Sequence, residues 1–326
     1  MLILNRAATR AALPHRACIA CLEPAMISVS RGEAELPLRR YLDIPRTEGK
    51  FTLMPGYSEA PRAFGVKIVS KFPRSPDSPH SSHVGAVMVF DAEEGLPLVL
   101  LDGAELTAIR TASASALATR ALARENAEVL GLIGCGEEAW HHALAIPEVL
   151  PIKTVMIWGR NPARAEQLAE RLRGQRDDLE FLVARDRPTL TAASDILCTV
   201  TSAKTPVLLG EWLKPGIHVN LVGAAVASAA EADTAVVARS RFFTDYRPSA
   251  LDQAGELLKA LDDGVVDESH IRAEIGEVLA GEKPGRLSES DITVYKSLGV
   301  AAQDLAAGLA AWQNAGVTDL GVEVDW

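Results

Sequence analysis

Glu128-Val-Leu-Gly-Leu-Ile-Gly134-Cys-Gly136-Glu-Glu-Ala139, in the middle of a chain of 326 residues, is the stretch that decides the fold. An apolar run followed by small residues at three fixed positions predicts a buried parallel strand, a tight turn and a helix. The first glycine permits the sharp turn, the second lets a pyrophosphate approach the backbone, and the alanine lets the helix pack against the strand. The amides of the first helical turn then face the anion. We therefore predict a dinucleotide-binding βαβ unit whose cofactor-binding residues include Gly134, Gly136, Glu137, Glu138 and Ala139.

The elements that follow continue the same alternation. Lys153–Asn161 reads as a second strand ending in a turn, and Pro162–Arg173 reads as a helix with proline in its first turn. Ser194–Thr201 and Ile217–Gly223 read as two later strands. Strands alternating with helices indicate an α/β fold, specifically a Rossmann-type doubly wound parallel sheet.

The end of the second strand bears on the choice of cofactor. An acidic residue about 20 positions past the glycines would bind a ribose 2′-hydroxyl and select NAD. This chain instead has Gly159, Arg160 and Asn161 there, with Arg164 one helical turn later. A guanidinium can pair with a 2′-phosphate, so we favour NADP(H), with NAD(H) as the alternative, and include Arg160, Asn161 and Arg164 in the cofactor site. In the competing interpretation the two arginines are ordinary solvated residues at a helix start.

Composition narrows the class of protein. The net charge of −10 argues against a nucleic-acid or anionic-membrane surface. Four cysteines do not suggest a disulfide scaffold, and Cys18-Ile-Ala-Cys21 lacks the second pair of a zinc site, so no metal site is predicted. Basic residues interrupt the amino-terminal segment, which therefore lacks the continuous apolar core of a signal peptide. The chain also lacks an apolar run long enough to span a membrane. We expect a cytoplasmic enzyme.

The remaining chain predicts a second, discontinuous domain of α+β type. Residues 1–35 and 102–126 are helix-like, 36–102 are strand-rich, and the tail at 290–315 is again helix-like. The simplest arrangement returns the tail to the first part. We predict a substrate-binding and dimerisation domain from 1–124 and 300–326, with the nucleotide-binding domain at 125–299.

Six segments follow one another along nearly the whole chain: Leu106-Thr-Ala-Ile-Arg-Thr-Ala-Ser-Ala-Ser-Ala116, the glycine turn, Thr205-Pro-Val-Leu208, Leu213-Lys-Pro-Gly-Ile-His-Val-Asn220, Glu274-Ile-Gly-Glu-Val-Leu-Ala-Gly281 and Ile292-Thr-Val-Tyr-Lys-Ser-Leu-Gly-Val-Ala-Ala-Gln-Asp304. Together these segments resemble the ornithine cyclodeaminase/mu-crystallin family. The resemblance implies a homodimer joined through its substrate domains. Members include cyclodeaminases, alanine dehydrogenases, ketimine reductases and a thyroid-hormone-binding crystallin, so membership does not by itself fix the reaction.

The resemblance also implies which basic residues bind the substrate. The family holds an α-carboxylate with side chains of the first domain, and the matching positions are Arg39, Lys67 and Arg110. A guanidinium can bind a carboxylate through two hydrogen bonds, while an ammonium adds a point charge and a proton donor. We therefore assign Arg39, Lys67 and Arg110 to the substrate and give Lys67 and Arg110 catalytic roles. The alternative is that Lys67 and Arg39 are surface charges.

By the same resemblance, further residues line the cofactor site. Ser81, or its neighbour Ser82, and His83 are expected near the nicotinamide, with a packed or surface histidine as the alternative for His83. Thr111 is expected at the phosphates. Thr199, Val200 and Thr201 follow a strand and are expected to line the cofactor cleft at the carboxyl edge of the sheet. Lys296 and Ser297 are expected to approach the nicotinamide from the returning helix.

One departure from the family pattern shapes the prediction of function. Cyclodeaminases carry an aspartate for proton transfer in the Gly-Ala-Asp segment, and Ala225 occupies that position here. A methyl group cannot exchange protons, which disfavours cyclisation with loss of ammonia. We predict NAD(P)H-dependent reduction of a small α-imino acid, such as pyrroline-2-carboxylate or piperideine-2-carboxylate. Ornithine cyclodeaminase, alanine dehydrogenase and a non-catalytic protein that binds NADPH and a carboxylate remain the alternatives.

Overall fold

The computed structural model describes residues 1–73 and 83–325. The strands are β1 (Leu2–Leu4), β2 (Ala34–Glu35), β3 (Arg40–Asp43), β4 (Lys50–Glu59), β5 (Arg62–Lys71), β6 (His83–Asp91), β7 (Pro97–Asp102), β8 (Val129–Ile133), β9 (Thr154–Trp158), β10 (Glu180–Val183), β11 (Ile196–Thr199), β12 (His218–Leu221), β13 (Arg241–Thr244), β14 (Ile271–Glu274), β15 (Thr293–Lys296) and β16 (Val322–Glu323). The helices are α1 (Arg6–Ala12), α2 (His15–Ser30), α3 (Gly103–Leu122), α4 (Glu137–Ala145), α5 (Pro162–Arg173), α6 (Arg187–Ala193), α7 (Thr234–Ala238), α8 (Arg247–Gln253), α9 (Gly255–Asp262), α10 (Ile275–Leu279) and α11 (Ala301–Thr318).

The chain divides into two compact units. Unit 1 consists of residues 1–110 and 299–326, and unit 2 consists of residues 111–298. The division falls inside α3, where a continuous helix passes from one unit to the other. The domain limits predicted from sequence, and the roles given to the two parts, stay predictions.

Unit 2 is built on a parallel sheet of eight strands. Their order is β10-β9-β8-β11-β12-β15-β13-β14, and each neighbouring pair is parallel. The chain runs outward from β8 in one direction and then restarts beside it at β11. This reversal of strand order confirms the predicted doubly wound sheet, and in such sheets ligands bind at the carboxyl ends of the two strands that flank the reversal.

Helix α5 shows how local sequence sets the elements of unit 2. Asn161 caps the helix by accepting a hydrogen bond from the amide of Ala163, and Pro162 occupies the first helical position. Apolar residues recur at helical spacing on one face, and they are all buried: Ala165, Leu168, Ala169 and Leu172. The observed bounds are the predicted ones.

Unit 1 contains a second sheet of eight strands, ordered β16-β1-β7-β6-β5-β4-β2, with β3 pairing to β4. Its central pairs are antiparallel. Helix α11 packs on strands β4 to β7, and α2 packs against α11. The buried face of α11 is rich in alanine, and a Cβ added to Gly308 would lie 2.8 Å from the Val89 side chain. The small residues therefore let this helix lie close to the sheet.

One prediction for the tail was wrong. Residues 290–315 do not form a single helix: Thr293–Lys296 is a strand, β15, which lies between β12 and β13 in the unit 2 sheet, and α11 begins only at Ala301. The run Ile292-Thr-Val-Tyr contains β-branched and aromatic residues, which favour a strand. Gly299 then adopts a positive φ of 78° at the turn between the two elements. Lys296 and Ser297 therefore do not come from a returning helix.

No helix among the described residues combines the length and the apolar character that crossing a bilayer requires.

Candidate functional site

The glycine turn lies at the reversal of strand order in unit 2. Strands β8 and β11 pair so that Ile133 is opposite Thr199, and the turn begins at the next residue. Gly134 has a φ of 131°, and a Cβ at this position would lie 2.6 Å from the carbonyl oxygen of Val200. Glycine alone tolerates both the positive φ and the close approach of the Val200 carbonyl. The need for glycine at position 134 therefore comes partly from the backbone at the end of the neighbouring strand.

Gly136 has a different surrounding. It is the N-cap of α4, with extended φ and ψ of −97° and −163°, and it provides no side-chain cap. A Cβ at Gly136 would meet no atom of residues 1–73 and 83–325 within 4 Å. The space beside the start of the helix is therefore open at the point where the amides of Glu137 and Glu138 begin the helix. Ala139, on the inner side, is fully buried.

Two arginines lie near this turn. Arg160 and Arg164 are exposed, and they flank Asn161, whose side chain is used as the cap of α5. Burial raises the pKa of the Cys135 thiol in the glycine turn, and the positive charges of Arg164 and Arg160 oppose that shift. The positive charges of both guanidinium groups therefore reach the glycine turn. They would attract an anion bound at the turn.

The segment after β11 is organised by a carboxylate that the sequence reasoning did not place in the site. Glu231 is fully buried and accepts hydrogen bonds from the hydroxyls of Thr199 and Thr201, at 2.8 and 2.6 Å, and from the amides of Thr201 and Gly223. Burial raises the pKa of Glu231, while these hydrogen bonds and the charge of Lys296 lower it. The two threonine side chains are turned toward Glu231, and Val200 between them is 8% exposed.

Lys296 is also engaged inside unit 2. It is fully buried, and its ammonium donates to the carbonyl oxygen of Ala224 at 2.5 Å and lies 3.0 Å from a carboxylate oxygen of Glu256. Glu256 in turn accepts a hydrogen bond from the amide of Glu231. The cluster fixes the loop that carries Ala225. The assignment of Thr199, Val200, Thr201 and Lys296 to cofactor binding stays a prediction.

Unit 1 brings two of the predicted substrate residues together on one carboxylate. Lys67 of β5 and Arg110 of α3 are 3% and 4% exposed, and both contact Asp304 of α11, which is 1% exposed. The ammonium of Lys67 is 2.8 Å from one carboxylate oxygen and 3.0 Å from the other. Arg110 donates from Nε to Asp304 at 3.0 Å and from Nη1 to Gln303 at 2.9 Å. The result is a compact buried group of charged side chains.

The third basic residue reaches the same segment. Arg39 donates from Nη2 to the carbonyl oxygen of Gly299 at 2.8 Å. A Cβ on Gly299 would lie 2.6 Å from Nη1 of Arg110, so the turn before α11 is packed against that guanidinium. Neither Asp304 nor Gln303 nor Gly299 was predicted as a site residue. The only available signal was their position at the end of the family-like segment.

Burial and charge together set the acidity of Lys67. Its pKa falls from 10.5 to about 7, because burial disfavours the ammonium and the charges of Arg110 and Arg39 repel it. Asp304 acts in the opposite direction through its charge and its hydrogen bond. Lys67 is therefore a group that can give up a proton near neutral pH.

The remaining predicted residues are placed as follows. Thr111 is 7% exposed at the start of unit 2, and Ser297 is 3% exposed. His83 is the first residue of β6, and Ser81 and Ser82 lie outside the described residues. Cys18 and Cys21 lie on α2, where the thiol of Cys21 donates to the carbonyl oxygen of Cys18. Ala225 is partly buried in the loop after β12.

Comparison with known proteins covers nearly the whole chain. The model of the ornithine cyclodeaminase/mu-crystallin family matches residues 2–316. Ketimine reductase mu-crystallin of Mus musculus is 34% identical over 296 residues, covering 90% of each chain. The structure of Thermococcus litoralis Delta(1)-pyrroline-2-carboxylate reductase with NADH and L-proline has a TM-score of 0.95 at 32% identity, covering 99% of this chain and 100% of that one. An archaeal alanine dehydrogenase dimer with bound NAD has a TM-score of 0.90 at 28% identity, covering 100% and 99%.

Proposed function

Because this chain belongs to the ornithine cyclodeaminase/mu-crystallin family, we propose that it is an NAD(P)H-dependent reductase of small α-imino acids. The observation that carries the proposal is the buried group formed by Lys67, Arg110 and Asp304. It offers both charge for a carboxylate and a proton donor for a nitrogen. Cyclic ketimines such as pyrroline-2-carboxylate and piperideine-2-carboxylate contain these two groups on adjacent carbons. The names of the mouse and Thermococcus relatives support the same reaction class.

Binding of the carboxylate is assigned to Arg110 and Arg39. Nη2 of Arg110 has no hydrogen-bond partner among the described residues, although Nε and Nη1 are both used. A guanidinium whose remaining donors face a substrate can orient a carboxylate by two hydrogen bonds. Its neighbours Asp304 and Gln303 hold the group in one position, which reduces the entropy lost on binding.

The residues around the glycine turn fit a dinucleotide. The space at Gly136 would accommodate a pyrophosphate, and the uncapped start of α4 would supply amides to it. When bound, the nicotinamide supplies the hydride that reduces the C=N carbon. The protein residues bind, orient and supply protons.

Proton supply is assigned to Lys67. Reduction of a neutral imine adds a hydride to carbon and needs one proton at nitrogen. The Lys67 ammonium can give that proton from Nζ, become a neutral amine, and regain a proton from water. Its pKa of about 7 suits donation at neutral pH. Ala225 provides no second proton-transfer group, so simple reduction is favoured over ornithine cyclisation.

For the cofactor, we propose a preference for NADP(H) over NAD(H). Arg160 and Arg164 are exposed and close enough to the glycine turn to affect Cys135, so they can pair with a 2′-phosphate. Arg160→Ser should raise the Kd for NADPH about tenfold or more and leave that for NADH within about twofold. Arg173→Ser, at the far end of α5, is the control and should change neither value. Equal effects on both nucleotides would contradict this preference.

We also propose a homodimer formed through the open face of the unit 1 sheet. This face carries apolar side chains that are partly exposed, including Leu53, Phe64 and Val84, and Phe64 stacks on Phe90 at 5.1 Å. Contiguous apolar surface of this kind marks an interface. The related alanine dehydrogenase is a dimer, which favours a second copy as the occupant. Light scattering should give twice the chain mass, and Phe64→Asp should give the monomer mass. A monomeric unmodified protein would refute the proposal.

The central experiment is a reductase assay. Purified protein is mixed with NADPH, and separately with NADH, plus piperideine-2-carboxylate or pyrroline-2-carboxylate, and absorbance of the reduced nucleotide is followed. Lys67→Met should lower kcat about a hundredfold or more. Lys71→Met, an exposed residue on the same strand, should leave the rate unchanged. Failure to oxidise the nucleotide with any cyclic imino acid, in protein that binds the nucleotide, would overturn the proposal. Ornithine, and pyruvate with ammonia, would then be tested.

A further inference from the structure

One short segment holds all three basic residues of the substrate group. The carbonyl oxygen of Gly299 accepts from Arg39, and the first turn of α11 supplies Gln303 and Asp304. Arg110 is shared between Gln303 and Asp304, whereas the ammonium of Lys67 contacts Asp304 alone in this segment. The two acceptors on α11 therefore have different partners, which makes their roles separable by substitution.

Basic side chains outnumber acidic ones in this group. Arg39, Lys67 and Arg110 are three basic side chains from the loop before β3, from β5 and from α3, and Asp304 from α11 is the acidic group that faces Lys67. A buried lysine beside two guanidinium groups would favour the neutral amine form if no carboxylate were present. Asp304 touches Lys67 through both oxygens, so its negative charge acts at the shortest distance in the group.

We infer that Asp304 is the positioning residue that keeps Lys67 protonated and fixes its ammonium for proton donation. The inference rests on the proposed reductase function and deepens it. Gln303 has the narrower role of holding Arg110, because it lacks charge and contacts the guanidinium at Nη1. Asp304 acts on the reaction through Lys67, and no bond to it forms or breaks.

The inference makes a directional claim about acidity. Replacing Asp304 by asparagine keeps the size of the side chain and removes the charge that raises the pKa of Lys67. Burial, Arg110 and Arg39 then act unopposed, and the pKa falls below its value of about 7. At neutral pH less of Lys67 carries the proton that the imine nitrogen needs.

The first test measures the proton on Lys67 directly, without nucleotide or imino acid. Lysine labelled with ¹³C is titrated by nuclear magnetic resonance, and the Lys67 signal is identified by its loss in Lys67→Met. Asp304→Asn should lower the Lys67 midpoint by about one pH unit or more. Asp304→Glu should restore at least half of that change. Gln303→Met, the matched control from the same turn, should leave the midpoint within about 0.3 unit. An unchanged midpoint in Asp304→Asn would overturn the inference.

The second test uses the reaction. The alkaline limb of the pH profile of kcat/KM should move to lower pH in Asp304→Asn by the same amount as the Lys67 midpoint. Gln303→Met should raise KM for the imino acid about tenfold without moving that limb. A purely structural role for Asp304 would lower activity at every pH alike, and that result contradicts the inference.

The two proposals can fail separately. If Asp304→Asn moves the Lys67 midpoint but the unmodified protein reduces no imino acid, the positioning role stands and the reductase function fails. If Asp304→Asn does not fold, unmodified protein with ¹³C-labelled aspartate provides the test, because the Asp304 carboxylate signal should shift at the Lys67 midpoint. A carboxylate signal that stays constant through that pH would overturn the inference.

Discussion

The two glycines of the turn should respond differently to the same substitution, one mainly through nucleotide binding and the other mainly through stability. Gly136→Ala places a methyl group where the described part of the chain has no atom within 4 Å, and the extended backbone there suits any residue. Replacing glycine restricts the unfolded chain, which favours folding by about 0.4–1 kcal/mol, but alanine is the poorer N-cap residue by a similar amount, so the stability of the apo protein should change by less than about 1 kcal/mol. The same methyl occupies the space assigned to the pyrophosphate. We expect the Kd for NADPH to rise about tenfold or more, which is about 1.4 kcal/mol.

Gly134→Ala should behave differently, because the added methyl would lie 2.6 Å from the Val200 carbonyl oxygen at a φ of 131°. Backbone strain of this kind costs about 1–3 kcal/mol, so the apo protein should unfold at a lower temperature. Thermal unfolding of both apo variants by circular dichroism and titration with NADPH by fluorescence would separate the two effects. The reasoning is refuted if Gly136→Ala binds NADPH within about twofold of the unmodified protein, or if its apo form is the less stable of the two.

Three further predictions concern buried polar groups. Lys296→Met leaves the Glu256 carboxylate buried without its cation and should lower the free energy of unfolding in urea by about 3–5 kcal/mol. The double variant Lys296→Met/Glu256→Gln should recover at least about 1 kcal/mol, and a loss under about 1 kcal/mol in the single variant would contradict the prediction. Burial lowers the pKa of His218 to about 3, so between pH 6.5 and pH 3 the unfolded chain binds a proton that the folded chain does not, and stability falls as the pH drops. His218→Gln should reduce the dependence of the unfolding free energy on pH by up to about 1.4 kcal/mol per pH unit in urea titrations, and an unchanged dependence would contradict the prediction. Gly299→Ala brings a methyl within 2.6 Å of Arg110 at a positive φ, and should raise KM for the imino acid about tenfold in steady-state kinetics; an unchanged KM would show that the turn does not hold the guanidinium.

Local pattern and steric requirement made much of unit 2 predictable. The Pro162–Arg173 helix was predicted to its exact bounds because its cap, its first-turn proline and its apolar face are all local signals. The parallel sheet followed from strands alternating with helices. The prediction failed at 290–315, because β15 is a short, fully buried strand that lacks the alternation of a half-buried one. Its four residues join the sheet only through pairing with β12 and β13, which are distant in sequence.

The sequence by itself determined the doubly wound sheet and the glycine turn, and the family-like segments singled out three basic residues whose role in substrate binding stays a prediction. These depend on local periodicity, on glycine conformation and on motif order, all of which are written along the chain. Only the tertiary structure decided what those residues contact. Lys67 and Asp304 are separated by 237 positions, and Glu231 and Thr199 by 32, yet each pair is hydrogen-bonded in the interior. A buried charge requires its partner at about 3 Å, and which residue comes that close depends on how the helices and strands pack.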